Sequence, residues 1–329
     1  MRAVVLRGYG GPEVLGLEDV EQPVPGPDDV LVAIRATALN RADLLQRMGG
    51  YPDPRGALSR EIPGLEFSGV VEAVGARVTM WKPGDRVMAI ESGGAYAEFI
   101  CTHERQLMSV PASVSLDDAA AIPEVFLTAW DALVVQGGLT SGRWALVHAG
   151  ASGVGTASIQ IARAIGARIA VTCSAGKIEA CRELGADLVI ERSPHDWLAI
   201  LQGAIPSGVD VVLDVIGGDE VDRNLRAVAT KGTIVQVGLM GGAVTNVNVG
   251  LLLAKRVRWI GTTLRARPIE EKAALTRRFA CEMLPLFDDG LLRPIIDRRY
   301  PLERIAEAHE AMGANANTGK ILIDVAKIG

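Results

Sequence analysis

The chain has 329 residues, 49% of them apolar, and 34 Lys and Arg against 39 Asp and Glu give a net charge of −5. That length supports two ordinary domains with substantial cores, and the mildly acidic balance excludes a globally cationic surface for nucleic acid or anionic membrane. No apolar run reaches bilayer length, and the scattered Cys101, Cys173, Cys181, Cys281, His103, His148, His195 and His309 lack the spacing of a zinc site, so no metal is expected.

Residues 2–6 read as a strand rather than a secretory leader, which makes the cytoplasm the simplest compartment. Further strands are predicted at 29–38, 67–74, 85–90 and 95–101, separated by turns such as 23–27, 82–85 and 92–94. Ser115 is the expected N-cap of a helix to 122, with Asp117 and Asp118 in its first turn. Pro123 interrupts that helix, and a second helical pattern runs from 125 to 135, ending at Gly137 and Gly138. The texture then changes to strands at 144–148, 168–172, 187–190, 209–214, 233–237 and 257–263, with helices at 154–165, 177–184 and 219–229. Such alternation implies a parallel, doubly wound sheet with helices on both faces. An amphipathic helix at 270–288, the segment 297–301, a helix at 302–313 and a last strand at 320–325 return to the first domain. The organisation predicted is therefore α/β: a β-rich catalytic domain of residues 1–124 and 266–329 with a Rossmann domain of residues 125–265 inserted into it.

The stretch from 144 to 157 carries the clearest chemistry. An apolar strand ends in a small-residue turn and a helical pattern follows directly, the arrangement that holds a dinucleotide pyrophosphate on a helix N-terminus. Gly150 and Gly155 take the outer positions of the G-x-G-x-x-G fingerprint, and Ser152 stands where the middle glycine belongs, followed by Gly153 and Val154. The hydroxyl of Ser152 is expected near the adenosine phosphates. An NAD site places an acid at the end of the second strand to bind the ribose 2′-hydroxyl. This chain has Ser174 and Lys177 there and no acid until Glu179, while Arg192 follows the neighbouring strand. A lysine, an arginine and a hydroxyl attract a 2′-phosphate that an acid would repel, so the expected cofactor is NADPH.

Strand C-termini line the ligand crevice of such sheets. On that ground Gly238, Leu239 and Met240 after the fifth strand, and Arg265 after the sixth, are candidates to contact the cofactor. Thr128, on the helix crossing between domains, is a candidate for the carboxamide or a phosphate, and Asn317 and Lys320 for the nicotinamide half.

Five segments together, LNRAD at 39–43, PGLEFSG at 63–69, HAGASGVG at 148–155, VGLMG at 237–241 and NTGK at 317–320, resemble the zinc-free quinone oxidoreductases of the medium-chain dehydrogenase/reductase superfamily, with greatest similarity to the p53-inducible type. The resemblance covers essentially the whole chain. It implies a GroES-like catalytic domain around an inserted Rossmann domain, preference for NADPH, and a homodimer or homotetramer. Zinc-dependent relatives carry Cys where this chain has Asn40 and His where it has Leu65. The family's substrate-cleft tyrosine matches Tyr51 and its adenosine-phosphate lysine matches Lys177. Where a close relative has a phosphate-contacting tyrosine, this chain has Arg192.

Without a metal the acceptor must already be electrophilic, as a quinone or a conjugated carbonyl is. Hydride transfer from NADPH in a cleft between the domains builds negative charge on an acceptor oxygen, which pre-aimed donors stabilise. The Asn40 amide and the Tyr51 phenol are the expected catalytic donors. A reductase of 2-enals, 2-enones or enoyl thioesters uses the same geometry, and a non-catalytic NADPH-binding protein is the reading of a different class. No nucleic-acid or membrane partner is expected.

Overall fold

The structure is a computed structural model describing residues 1–51, 53–54, 61–193 and 196–325, so Pro52 of the Tyr51 loop and His195 lie outside the described residues. The chain divides into two compact units, Met1–Glu124 with Leu264–Gly329, and Val125–Thr263.

The first unit begins with a hairpin of β1 (Arg2–Leu6) and β2 (Leu15–Asp19), antiparallel and separate from the main sheet. The long strand β3 (Asp29–Ala38) is followed by a short helix α1 (Arg41–Arg47) and by β4 (Glu66–Val74), β5 (Arg86–Ile90), β6 (Phe99–His103) and β7 (Met108–Ser109). Two short helices follow, α2 (Leu116–Ala119) in this unit and α3 (Pro123–Trp130), most of whose residues belong to the second. Ser115 caps α2 by accepting from the Asp118 N–H at 3.0 Å, as its position predicts. Pro123 does break the helical run, and it does so by opening α3, where its missing N–H costs nothing.

The second unit contains β8 (Trp144–His148), α4 (Gly153–Ala164), β9 (Arg168–Cys173), α5 (Ile178–Glu183), β10 (Leu188–Glu191), α6 (Trp197–Ala204), β11 (Val209–Asp214), α7 (Glu220–Ala227), β12 (Val228–Gln236), α8 (Val249–Lys255) and β13 (Arg258–Gly261). The strand order is β10-β9-β8-β11-β12-β13, every pairing parallel, which is the doubly wound sheet expected. Its interior is built from Leu146, Ala170, Trp197, Val212, Leu225 and Ile234. Near-continuous apolar strands such as 145–147 and 169–171 are what a sheet covered on both faces requires.

The chain re-enters the first unit with α9 (Ile269–Asp288), β14 (Ile296–Pro301), α10 (Ile305–Gly313) and β15 (Lys320–Asp324). β15 runs between β14 and β3, so the seven-stranded sheet reads β14-β15-β3-β4-β5-β7 with β6 also paired to β3. Val30, Val32, Ile34, Phe67, Val87, Tyr96, Ile321 and Ile323 fill its core.

Several local expectations shift. The strand expected at 95–101 lies at 99–103, because Ala95 and Tyr96 are held instead by bonds to the segment around Pro63 and Gly64. The strand expected at 257–263 ends at Gly261, leaving Thr262 and Thr263 in the following loop. Strand β12 starts five residues before its expected beginning and carries a register shift against β11.

Candidate functional site

The glycine-rich turn after β8 has the form a pyrophosphate needs. Ala149 adopts a left-handed φ of 58°, a strained state for a residue with a Cβ. The turn is pinned on both sides, by Gly150 N–H to Thr172 O at 2.9 Å and Ser152 N–H to Ala149 O at 2.9 Å. A Cβ on Gly150 would lie 2.5 Å from the Cβ of Val171, and one on Gly155 would lie 2.4 Å from the carbonyl oxygen of Ala149. Both glycines are thus required for the close approach of turn, strand and helix.

Ser152 is the N-cap of α4, and its Oγ accepts from the Gly155 N–H at 3.0 Å. This gives it a structural duty in addition to the phosphate contact expected for it, while leaving its hydroxyl proton to donate. Gly153 and Val154 form the half-buried first turn, where backbone N–H groups have no intrahelical acceptor.

At the neighbouring sheet edge, Ser174 follows β9 directly and Lys177 ends the short turn after it, its N–H bonded to Ser174 O at 3.0 Å. β10 lies beside β9 with Glu191 opposite Cys173, and the Arg192 N–H donates to Cys173 O at 2.8 Å. The fold therefore brings Ser174, Lys177 and Arg192 to the same end of two adjacent strands, with Ser174 and Arg192 exposed.

Beyond the ends of β12 and β13 lies a groove of about 310 Å³ lined by Gln236, Val237, Gly238, Leu239, Gly261, Thr262 and Thr263. Of the residues expected here, Gly238 and Leu239 line it, whereas Met240 does not and stands exposed. A buried polar chain supports this end of the sheet. Asp214 accepts from the N–H groups of Ile216 and Gly217 at 2.6 and 3.0 Å and from Asn224 Nδ2 at 3.0 Å. The oxygen of Asn224 then takes the proton of His148 Nε2 at 2.8 Å, so Nδ1 accepts from the Thr172 hydroxyl at 2.9 Å. Thr128, in α3, is buried.

In the first unit, Asn40 closes β3 and opens α1, and its backbone N–H donates to Asp43 Oδ2 at 2.7 Å. Its side chain is wholly engaged. Nδ2 donates to Glu66 Oε1 at 2.9 Å and more weakly to Ala38 O at 3.4 Å, while Oδ1 accepts from Lys320 Nζ at 2.7 Å. Lys320 also donates to Leu39 O at 2.6 Å and lies 2.8 Å from Glu66 Oε1, and Glu66 Oε2 accepts from the Glu124 N–H at 2.7 Å. The Asn40 amide protons point at protein oxygens in this conformation, at Glu66 closely and at Ala38 more loosely. All three Lys320 protons have acceptors inside the unit, which makes it an internal counter-ion. Asn317 turns inward on its own loop, donating to Gly319 O at 2.8 Å.

A second buried set adjoins this one. The Tyr96 hydroxyl donates to Asp43 Oδ2 at 3.0 Å and meets His309 Nε2 at 3.4 Å. Burial pushes the Asp43 carboxyl up to about 6, against the pull of the Asn40 N–H, the Tyr96 hydroxyl and Lys320. Burial, helped by the charge of Arg47, pushes His309 down to about 3.

Tyr51 lies half-buried with the Arg265 guanidinium 4.9 Å from its ring centroid. Arg265, expected to face the cofactor, is buried and donates to Tyr51 O and Ser92 O within its own unit. No sequence pattern links Arg265, Ser92 and Tyr51, so this cluster became visible only in the fold.

Residues 26–112 match the Alcohol dehydrogenase GroES-like domain family and residues 153–280 match the Zinc-binding dehydrogenase family. The chain is 31% identical to the synaptic vesicle membrane protein VAT-1 homolog of Rattus norvegicus over 98% of this chain and 84% of that one. It is also 31% identical to the quinone oxidoreductase of Homo sapiens, over 98% and 97% of the two chains. Among solved structures, the Escherichia coli quinone oxidoreductase complexed with NADPH superposes with a TM-score of 0.89 at 29% identity, covering 99% of this chain and 100% of that one.

The second of these families implies zinc, and the residues here do not fit it. Asn40 and the apolar, buried Leu65 offer no anionic or imidazole ligand, and Glu66 is already paired with an ammonium that would repel a dication. No three His, Cys, Asp or Glu side chains converge on a metal position among the described residues. The dinucleotide does fit, since the turn after β8 opens α4 with first-turn N–H groups at Gly153 and Val154 that have no intrahelical acceptor. With 31% identity to the human quinone oxidoreductase over nearly the full length of both chains, the protein belongs with it to the medium-chain dehydrogenase/reductase superfamily.

Proposed function

We propose that this chain is an NADPH-dependent, zinc-independent reductase of quinones and related electrophilic conjugated carbonyls. The observation that carries the proposal is the joint placement of the phosphate turn at 149–155 and the Ser174, Lys177 and Arg192 edge beside it. The names of the human and Escherichia coli relatives, and the NADPH in the latter, support the substrate and the cofactor.

In this reading the first-turn N–H groups of Gly153 and Val154, with the Ser152 hydroxyl, bind the pyrophosphate, and Gly155 keeps the turn close to the helix. Ser174, Lys177 and Arg192 bind the 2′-phosphate, and Lys177 and Arg192 supply its counter-charge. Gly238, Leu239 and Thr262 border the groove that takes the nicotinamide half. Bound NADPH supplies a hydride. The Tyr51 phenol donates a hydrogen bond to the acceptor oxygen on which charge accumulates. Asn40, with Glu66 and Lys320, shapes the backbone beneath that site instead of touching the acceptor. An oxygen that becomes a hydroquinone anion needs little further acid, and solvent delivers its proton.

A homodimer joined through β13 completes the proposal. β13 is an edge strand of the six-stranded sheet, and its Trp259 is 44% exposed. Light scattering that gives the monomer mass at micromolar concentration would reject this assembly.

The test follows loss of NADPH absorbance with 1,4-benzoquinone, 9,10-phenanthrenequinone, a 2-enal and a crotonyl thioester, with NADH in parallel. Turnover of the quinones with NADPH and little with the others is the expected result. Lys177→Ala should weaken NADPH binding by about tenfold, the worth of one charge-assisted phosphate contact, and leave NADH binding unchanged. NADPH that binds without turnover of any acceptor would refute the reductase reading.

A further inference from the structure

We infer that Arg265 is the positioning residue for Tyr51, an assignment that rests on the place of Tyr51 in the proposed site. One guanidinium grips the tyrosine loop at three points. Its Nη1 donates to Tyr51 O at 3.0 Å, its Cζ stands 4.9 Å from the ring centroid, and its Nη2 lies 3.5 Å from Asp53 Oδ2. The fourth contact anchors the guanidinium itself, with Nε donating to Ser92 O at 2.8 Å. The Arg265 and Asp53 side chains are only 3% and 2% exposed, so these bonds act where water does not compete.

The anchor is cross-braced. Ser92 Oγ donates back to Arg265 O at 2.9 Å, and Lys272 Nζ, from the first turn of α9, donates to Ser92 Oγ at 2.8 Å. The loop after β5, the start of α9 and the segment after α1 are thereby tied through one side chain. Tyr51 belongs to no helix or strand, and its ring orientation is set by contacts of this kind. A planar fork that bonds a carbonyl on one edge, faces a carboxylate on another and lies over an aromatic ring is a task for arginine that lysine's point charge does not reproduce. Arg265 follows Thr263, a residue of the nicotinamide-side groove, by two positions, yet its bonds serve the tyrosine.

The test replaces Arg265 by Met and by Lys and reads the tyrosines directly. The chain has four, Tyr9, Tyr51, Tyr96 and Tyr300, so a carbon-13 spectrum of ring-labelled protein shows four signals, with Tyr51 assigned from Tyr51→Phe. Arg265→Met should move the Tyr51 signal and leave that of buried Tyr96 in place. It should lower kcat for 9,10-phenanthrenequinone by about 10- to 100-fold, the cost of misplacing a reacting group by about an ångström, with NADPH Kd changed by less than about twofold. Arg265→Lys should not rescue kcat, and adding Arg265→Met to Tyr51→Phe should cost nothing more. Asp53→Asn, which keeps the arginine and removes only its ionic anchor, should move the same signal by less and guards against a misfolded Arg265 variant.

An unmoved Tyr51 signal overturns the inference, as does a shift of all four signals, which marks a general structural role. A tenfold rise in NADPH Kd with Tyr51 unmoved would return Arg265 to the cofactor. A moved Tyr51 signal in a protein that reduces no quinone would uphold the contact and reject the proposed reaction.

Discussion

His309 and Asp43 titrate against one another inside the β-rich unit, and removing either should expose the other. Asp43 stands at about 6 against an ordinary 3.8, and His309 at about 3 against 6.5. As pH falls from 6 to 3.8 the folded protein protonates Asp43 before the unfolded chain does, so stability rises. As pH falls from 6.5 to 3 the unfolded chain protonates the histidine and the folded protein does not, so stability falls. Each slope is about 1.4 kcal/mol per pH unit. Over the shared window the two cancel, and the wild type shows neither.

The bonds explain how both states persist. Tyr96 gives its only proton to Asp43, so His309 must be the Nε2–H tautomer donating to the Tyr96 oxygen. Arg47, beside the ring, further opposes an imidazolium. Replacing the histidine by glutamine keeps a neutral donor and removes the titration. Relative to wild type, His309→Gln should gain about 3 kcal/mol of unfolding free energy between pH 6.5 and 4. Asp43→Asn should lose a similar amount between pH 6 and 4. Urea unfolding at half-unit pH intervals measures both differences, and the contributions of other groups cancel in the comparison. Parallel pH profiles for wild type and His309→Gln would refute the argument, because they would mean that the imidazole takes up its proton in the folded protein as readily as in the unfolded chain.

Lys320→Met should destabilise by about 3–5 kcal/mol, since it leaves the fully buried Glu66 carboxylate without its counter-ion. Lys320→Met with Glu66→Gln should recover much of that loss, and thermal melts of the three proteins check the pair. Gly155→Ala should abolish NADPH binding at micromolar cofactor while the sheet remains folded, because its Cβ would force Ala149 O out of the turn. Fluorescence titration with NADPH reads the loss, and an unchanged Kd would mean that the turn does not carry the pyrophosphate.

Local placement was legible in the sequence where residues close in the chain fold together. The small-residue turn at 149–155 and the Ser174 and Lys177 pair fall in this class, and alternation of apolar strands with helices revealed the doubly wound sheet. Short elements escaped. α1 and α8 have seven residues each, and α8 is a nearly continuous apolar run with no amphipathic period to read. Contacts across long separations escaped as well. That Glu66 pairs with Lys320 follows only from β15 lying beside β3, which brings together residues from opposite ends of the chain. Arg265 shows the same limit. Its place after a Rossmann strand suggests the cofactor, whereas the loops that claim it come from residues 51–53 and 92.

The insertion of β15 between β14 and β3 sets an order for biogenesis. On the ribosome the whole of the Rossmann unit, residues 125–263, is made while β3 still has an open edge. The nascent chain must therefore carry a finished nucleotide fold attached to an unfinished sheet, whose Glu66 still awaits its buried cation. Closure comes when residues 320–324 clear the exit tunnel, through pairings of very high contact order that form slowly. A ribosome stalled before that point would release a chain able to fold around the dinucleotide yet marked for proteolysis by its exposed β3 edge.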